Sequence, residues 1–144
     1  MAAFLSGVPD AAARMRTDRL EIEKATGGSV ALTIEVAESD QEKAAGLMFR
    51  TQLSDGEGML FAYGRTMEVT MWMRNTYISL DMLFVRSDGV IHRIETRTEP
   101  LSDRVIASQG AVSAVLEMAG GAAGRQGIKA GDRLRHKIFD ALAR

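Results

Sequence analysis

The stretch Ile78-Ser79-Leu80-Asp81-Met82-Leu83-Phe84-Val85 decides the fold, together with the Arg86-Ser87-Asp88-Gly89 turn and the Val90-Ile91-His92-Arg93-Ile94-Glu95 segment that follow it. Leu80, Met82 and Phe84 alternate with Leu83 and Val85, so both faces of the first segment are apolar, the pattern of a central strand covered on both sides. Ser87-Asp88-Gly89 turns the chain back into Val90–Glu95, which predicts a hairpin. Outward from it, Leu20 and Ile22, then Val30, Leu32, Ile34 and Val36, alternate with polar residues on either side of Gly27-Gly28, predicting a second hairpin. Met67, Val69, Met71 and Met73 fall on one strand face, and Thr66, Glu68, Thr70, Trp72 and Arg74 on the other. Asn75-Thr76 is a natural strand end, Pro100 to Ala111 reads as a long connection, and Ala114–Met118 and Arg133–Ile138 read as further strands.

Helical signals are few. Ser39 followed by Glu42 is a capping-box signature, and with Asp40 it predicts a helix over about 40–48. Gly46 inside that span implies close packing or an early end. Gly120 to Gly127 reads as a weak Ala-rich helical turn, and Ile128 to Asp132 as a tight turn into the last strand. The pattern predicts an α+β domain: a mostly antiparallel, strongly curled or barrel-like sheet of about seven short strands with one or two short helices. Curling or closure is one way such a sheet deals with its edges. Residues 1–18 are expected to be a flexible N-terminal segment and 19–140 a single globular domain.

Composition limits the chemistry. The chain has 144 residues, 46% of them hydrophobic and 26% charged, the balance of a globular domain rather than a disordered tail. Eighteen Lys and Arg against 19 Asp and Glu leave a net charge of −1, so no global field draws in nucleic acid, and none is expected as a partner. With no cysteine, thiolate metal sites, iron–sulfur clusters and cysteine nucleophiles are excluded. No apolar run approaches the roughly 18 residues of a membrane span. Ala2–Val8 and Ala11–Ala13 faintly resemble the end of a secretory signal, but no basic region precedes them and Pro9-Asp10 interrupts, so a frayed or trimmed terminus is expected.

Several polar groups ask for an explanation. Asp81 interrupts the most apolar strand, on the face of Leu83 and Val85, and Glu117 lies between Leu116 and Met118. A buried charge without a partner costs several kcal/mol. The two carboxylates could form an acid/base pair, or each could be neutralised by an arginine, with Arg50 and Arg74 the best-placed candidates. Trp72, the only tryptophan, stands on the polar face beside Glu68 and Arg74, which suits a small-ligand platform or packing beneath the 100–111 connection. The Met67, Met71 and Met73 series could ligate Cu(I) but reads better as core, and His92 and His136 have no metal-binding spacing, so no metal is expected. Nucleotide loops and a serine elbow are missing, and no cofactor is expected. The basic run Arg133 to Lys137 reads as a solvated edge strand.

Gly46-Leu47-Met48-Phe49-Arg50, Gly58-Met59-Leu60-Phe61, Trp72 to Thr76 and Leu80 to Val85 together resemble the bacterial and archaeal family of domain of unknown function 192. Val115-Leu116-Glu117, Gly120, Gly127-Ile128 and Gly131-Asp132 extend the resemblance to about residues 21–135. The family usually has proline at the position of Ser79 and often lysine at that of Arg74, so a cation is kept where a rigid ring is lost. The resemblance implies no established reaction or ligand. Many members look exported, which favours a periplasmic setting.

Two functions follow as expectations. One is an envelope-associated binding module with Trp72, Arg74, Asn75, Asp81 and Arg50 around a small polar ligand. The other is a hydrolase or lyase using Asp81 and Glu117 as acid and base. A protein-interaction module using a sheet edge or the 100–111 connection is a further alternative.

Overall fold

The computed structural model describes residues 15–142, so the reading of Ala2–Val8 and Ala11–Ala13 lies outside the described residues. The strands are β1 (Arg16–Glu23), β2 (Ser29–Ala37), β3 (Glu57–Met71), β4 (Leu80–Val85), β5 (Ile91–Glu95), β6 (Ile106–Ala119) and β7 (Arg133–Arg135). Three short helices accompany them, α1 (Asp40–Ala45), α2 (Ala122–Arg125) and α3 (Lys137–Leu142). The seven strands form one sheet in the order β5-β4-β6-β3-β2-β1-β7. Its two edges meet at one end, where Val90 bridges Arg133, Ile91 N–H donates to Asp132 O and Leu134 N–H donates to Gly89 O. The sheet is thus a half-barrel stitched at one end of its seam.

Both expected hairpins form. Gly27 and Gly28 turn β1 into β2 at positive φ, and β4 and β5 pair antiparallel as the 86–89 turn implies. The sheet is mixed, however, because β2 and β3 run parallel. Parallel neighbours need a crossover, and α1 lies within it. Ser39 caps α1 through the expected capping box, and the helix ends at Ala45 because Gly46 takes a φ of 47°. Gly46 also packs closely: a Cβ there would lie 3.2 Å from the Phe61 ring.

Three sequence expectations are corrected. The strands are not all short, since β3 has 15 residues and β6 has 14. Pro100–Ala111 is not one connection: β6 begins at Ile106 and crosses a bulge in which Gln109 and Gly110 have positive φ. Arg133–Ile138 is not one strand. β7 stops at Arg135, and a third helix follows, where Ile138 N–H donates to the His136 ring and Phe139 N–H to His136 O.

The sheet separates two apolar clusters. Inside the curl, residues from all seven strands pack together, among them Leu20, Ile34, Leu60, Leu83, Leu116 and Leu134, closed by Ala122 and Ala123 of α2 and Phe139 of α3. On the convex face, Met59, Phe61, Met82, Phe84 and Val115 are covered by Leu47 and Leu53 after α1 and by Met73 and Ile78 after β3. Sequence alternation decides these sides: Leu60 faces in while Met59 and Phe61 face out, and Leu83 faces in while Met82 and Phe84 face out. β4 is buried throughout, as its two apolar faces require.

Candidate functional site

Asp81 lies inside the curl. Its register partner is Met118 of the inner cluster, and it is fully buried. Gly121 N–H (2.8 Å) and Arg97 N–H (2.9 Å) donate to Oδ1, and Ala123 N–H (3.0 Å) donates to Oδ2. The carboxylate therefore ties the start of α2 and the chain after β5 to β4. Gly121 permits this with a φ of 87°, and a Cβ there would lie 2.6 Å from guanidinium nitrogens of both Arg97 and Arg125. The arginine pairing expected for Asp81 is replaced by backbone amides: Arg50 forms a two-pronged pair with Glu35 (2.7 and 3.0 Å), and Arg74 donates to Asp103 (3.0 Å).

Glu117 lies on the other side of the sheet. It is opposite Met82 in β4 and Met59 in β3, both of the convex cluster. An acid/base pair with Asp81 is therefore ruled out by register, because neighbouring strands one residue out of phase send their side chains to opposite faces. Glu117 is 4% exposed, and among the described residues its carboxyl has no hydrogen-bond partner. Burial alone pushes its pKa up to about 8, so the protonated form dominates at neutral pH.

This carboxyl lines a cavity of about 130 Å³ on the convex face, which Trp72 and Arg74 also line. Trp72 is 42% exposed, and the Arg74 guanidinium stacks over its ring at 3.7 Å from the centroid. The stack lies just past the end of β3, where Trp72 and Arg74 follow Thr70 at period two. The C-terminal turn of α1 forms another wall, and Lys43 holds it down by donating to Glu38 O and Ala62 O while lying 5.4 Å from the centre of the Tyr63 ring. The Tyr63 hydroxyl donates to Met71 Sδ at 3.5 Å, and burial, then the charge of Glu117, pushes the phenol up to about 12.

Of the sequence candidates, Trp72, Arg74 and Glu117 thus share one cavity. Asp81 lies across the sheet from it. Asn75 is exposed in the left-handed region (φ 54°), and its carbonyl accepts from Phe49 N–H, fixing the Trp72–Thr76 segment beside the exit of α1. Arg50 borders a separate hollow of about 250 Å³ with Glu35 and Glu57. Sequence reasoning missed Lys43, Tyr63 and the end of α1. Tyr63 was within reach, being two residues from Phe61 on the same strand.

A neighbouring hollow of about 390 Å³ shares Lys43 and Tyr63 with the cavity and contains Ser113, whose buried hydroxyl has no partner among the described residues. Among those residues no three His, Asp or Glu side chains gather as metal ligands, and Met73 packs in the convex core, where its sulfur accepts from Thr98. No described helix is long and apolar enough to cross a membrane.

Residues 22–136 match the family DUF192, described as Uncharacterized ACR. Among solved structures, a protein from Sinorhizobium meliloti 1021, described as a proposed transcription regulator, is 40% identical, with a TM-score of 0.84 over 86% of this chain and 96% of its own. A protein of unknown function from Novosphingobium aromaticivorans DSM 12444 is 37% identical, with a TM-score of 0.81 over 85% of this chain and 86% of its own. No curated protein matches the chain.

Proposed function

The chain belongs to the DUF192 family, and on that premise we propose that it is a small-ligand binding module whose site is the cavity of Glu117, Trp72 and Arg74. One observation carries the reading: a carboxyl that is 4% exposed and without a partner among the described residues faces a cavity instead of a cation. Its oxygens open onto that cavity with no protein partner among the described residues, so a ligand there can supply one. The size of the cavity, below the usual range of drug-sized sites, argues for a small molecule. The half-exposed indole and its stacked guanidinium offer a contact surface at the mouth.

Catalysis by paired carboxylates is not favoured, because Asp81 and Glu117 face opposite ways. Nucleic-acid reading is not favoured either: the described helices have four to six residues, and the chain carries a net charge of −1. The regulator description stays with the Sinorhizobium protein. A periplasmic, envelope-associated setting is part of the proposal and rests on the family resemblance.

Titrating the fluorescence of Trp72 with a panel of sugars, amino acids and cell-wall fragments tests this. The reading expects a saturable change that Glu117→Gln weakens. Silence across the panel, or a response that Glu117→Gln leaves intact, rejects it.

A further inference from the structure

The polar groups of the cavity are sorted by depth. Glu117 is at the buried end, and the last turn of α1 forms one wall, with its Glu42 and Ala45 carbonyls accepting from Gly46 and Met48 N–H just past the helix. These groups are acceptors or the negative end of a dipole. The cations are nearer solvent and partly committed: Arg74 uses Nε on Asp103 and stacks on Trp72, and Lys43 donates to two carbonyls. Arg74 keeps its two terminal nitrogens for a further acceptor, since only Nε is engaged among the described residues. An anion at the buried end would meet a carboxyl and a helix C-terminus, whereas an ammonium there would find acceptors.

We propose that the cavity binds a small α-amino acid, its ammonium on Glu117 at the buried end and its carboxylate toward Arg74 at the mouth. This rests on the binding reading above and deepens it. Size and polarity agree: about 130 Å³ has no room for a long side chain, and a zwitterion satisfies a buried acceptor and an exposed donor together. Binding requires Glu117 to ionise, so at neutral pH each ligand bound sends one proton from Glu117 to solvent. The proton comes off a carboxyl that burial holds at about 8, so affinity rises with pH up to that value.

Calorimetric titration of the full chain with glycine, L-alanine, ethylamine, acetate and glycerol, at pH 6.5 and 8 and in two buffers of different ionisation enthalpy, tests the proposal. The expected result is binding of glycine and alanine, tightening roughly tenfold from pH 6.5 to 8 with release of up to one proton. Ethylamine should bind more weakly, and acetate and glycerol weaker still. Glu117→Gln should lower the alanine affinity at least tenfold. Arg74→Ala should weaken alanine but leave ethylamine unchanged, which keeps the test decisive if Glu117→Gln does not fold. Tighter binding of acetate or glycerol than of the amines, or binding that tightens as pH falls, overturns the amino-acid assignment while the cavity stands as a site. Binding by none of the five probes overturns the amino-acid assignment, and silence across the wider fluorescence panel rejects the binding reading as well.

Discussion

Asp81 and Glu117 stand on adjacent strands one residue out of phase, Asp81 opposite Met118 and Glu117 opposite Met82, so one carboxyl enters the half-barrel and the other leaves through its convex face. Their surroundings then diverge. Asp81 receives three backbone N–H groups, while Glu117 receives none among the described residues. The first is a structural clamp, and the second is the group around which the ligand reading is built.

Asp81→Ala should be among the most damaging single substitutions in the chain. It strands three backbone amide donors, two of them buried, and unsatisfied buried donors cost about 1–3 kcal/mol each, less when neighbours relax together. A loss of about 3–5 kcal/mol in urea unfolding is expected. A loss below about 1 kcal/mol would mean that the start of α2 does not depend on this carboxylate.

Glu117 makes stability fall with rising pH. Its pKa is about 8 in the folded chain, against the ordinary value of 4.5, so between those values the folded state holds a proton that the unfolded state has released. Stability then drops by up to about 1.4 kcal/mol per pH unit from this group, and the effect is complete above pH 8. Glu117→Gln should remove the slope, gaining on the order of 3–5 kcal/mol relative to wild type between pH 4.5 and 8.5. Parallel pH profiles for the two proteins would contradict this.

Gly89 tests the seam of the half-barrel. Its φ is 87°, and an added Cβ would lie 2.6 Å from the Leu134 carbonyl, beside the hydrogen bond from Leu134 N–H to Gly89 O. Gly89→Ala combines left-handed strain with overlap against backbone and should cost roughly 2–4 kcal/mol. Hydrogen exchange should quicken at Leu134, Ile91 and Gly131, whose amides donate across the seam. Unchanged protection there would show that the seam is not what closes the sheet.

Arg74→Ala should change the emission of the single tryptophan with little change in stability. The guanidinium covers the indole face at 3.7 Å, and its pair with Asp103 is exposed, so the substitution should cost about 1 kcal/mol or less while shifting Trp72 toward longer wavelength. An unshifted spectrum would place the arginine elsewhere in solution.

The two hairpins, the capping box of α1 and the two faces of Met67 to Arg74 were legible in the sequence because each is a local pattern, set by alternation or by residues three apart. The parallel pairing of β2 with β3 was not, since it depends on where the crossover lands. Most of β6 was hidden by its bulge: Gln109 and Gly110 break the alternation, and the small residues around them read as a loop. The start of α3 was hidden because the ring of His136, not a Ser, Thr or Asp, accepts from Ile138 N–H. Asp81 and Glu117 stood out as carboxyls in apolar strands, but the side each takes depends on β4–β6 register, a contact between distant segments. For the same reason the wall built from α1 was invisible from the Trp72 segment.

The most direct test of the account is a carbon-13 NMR titration of the Glu117 side-chain carboxyl in the ligand-free protein. A buried, unpartnered carboxyl facing a cavity predicts a midpoint near 8, absent in Glu117→Gln. A midpoint in the ordinary range near 4.5 would show a carboxyl that is hydrated or already paired, and would contradict the site.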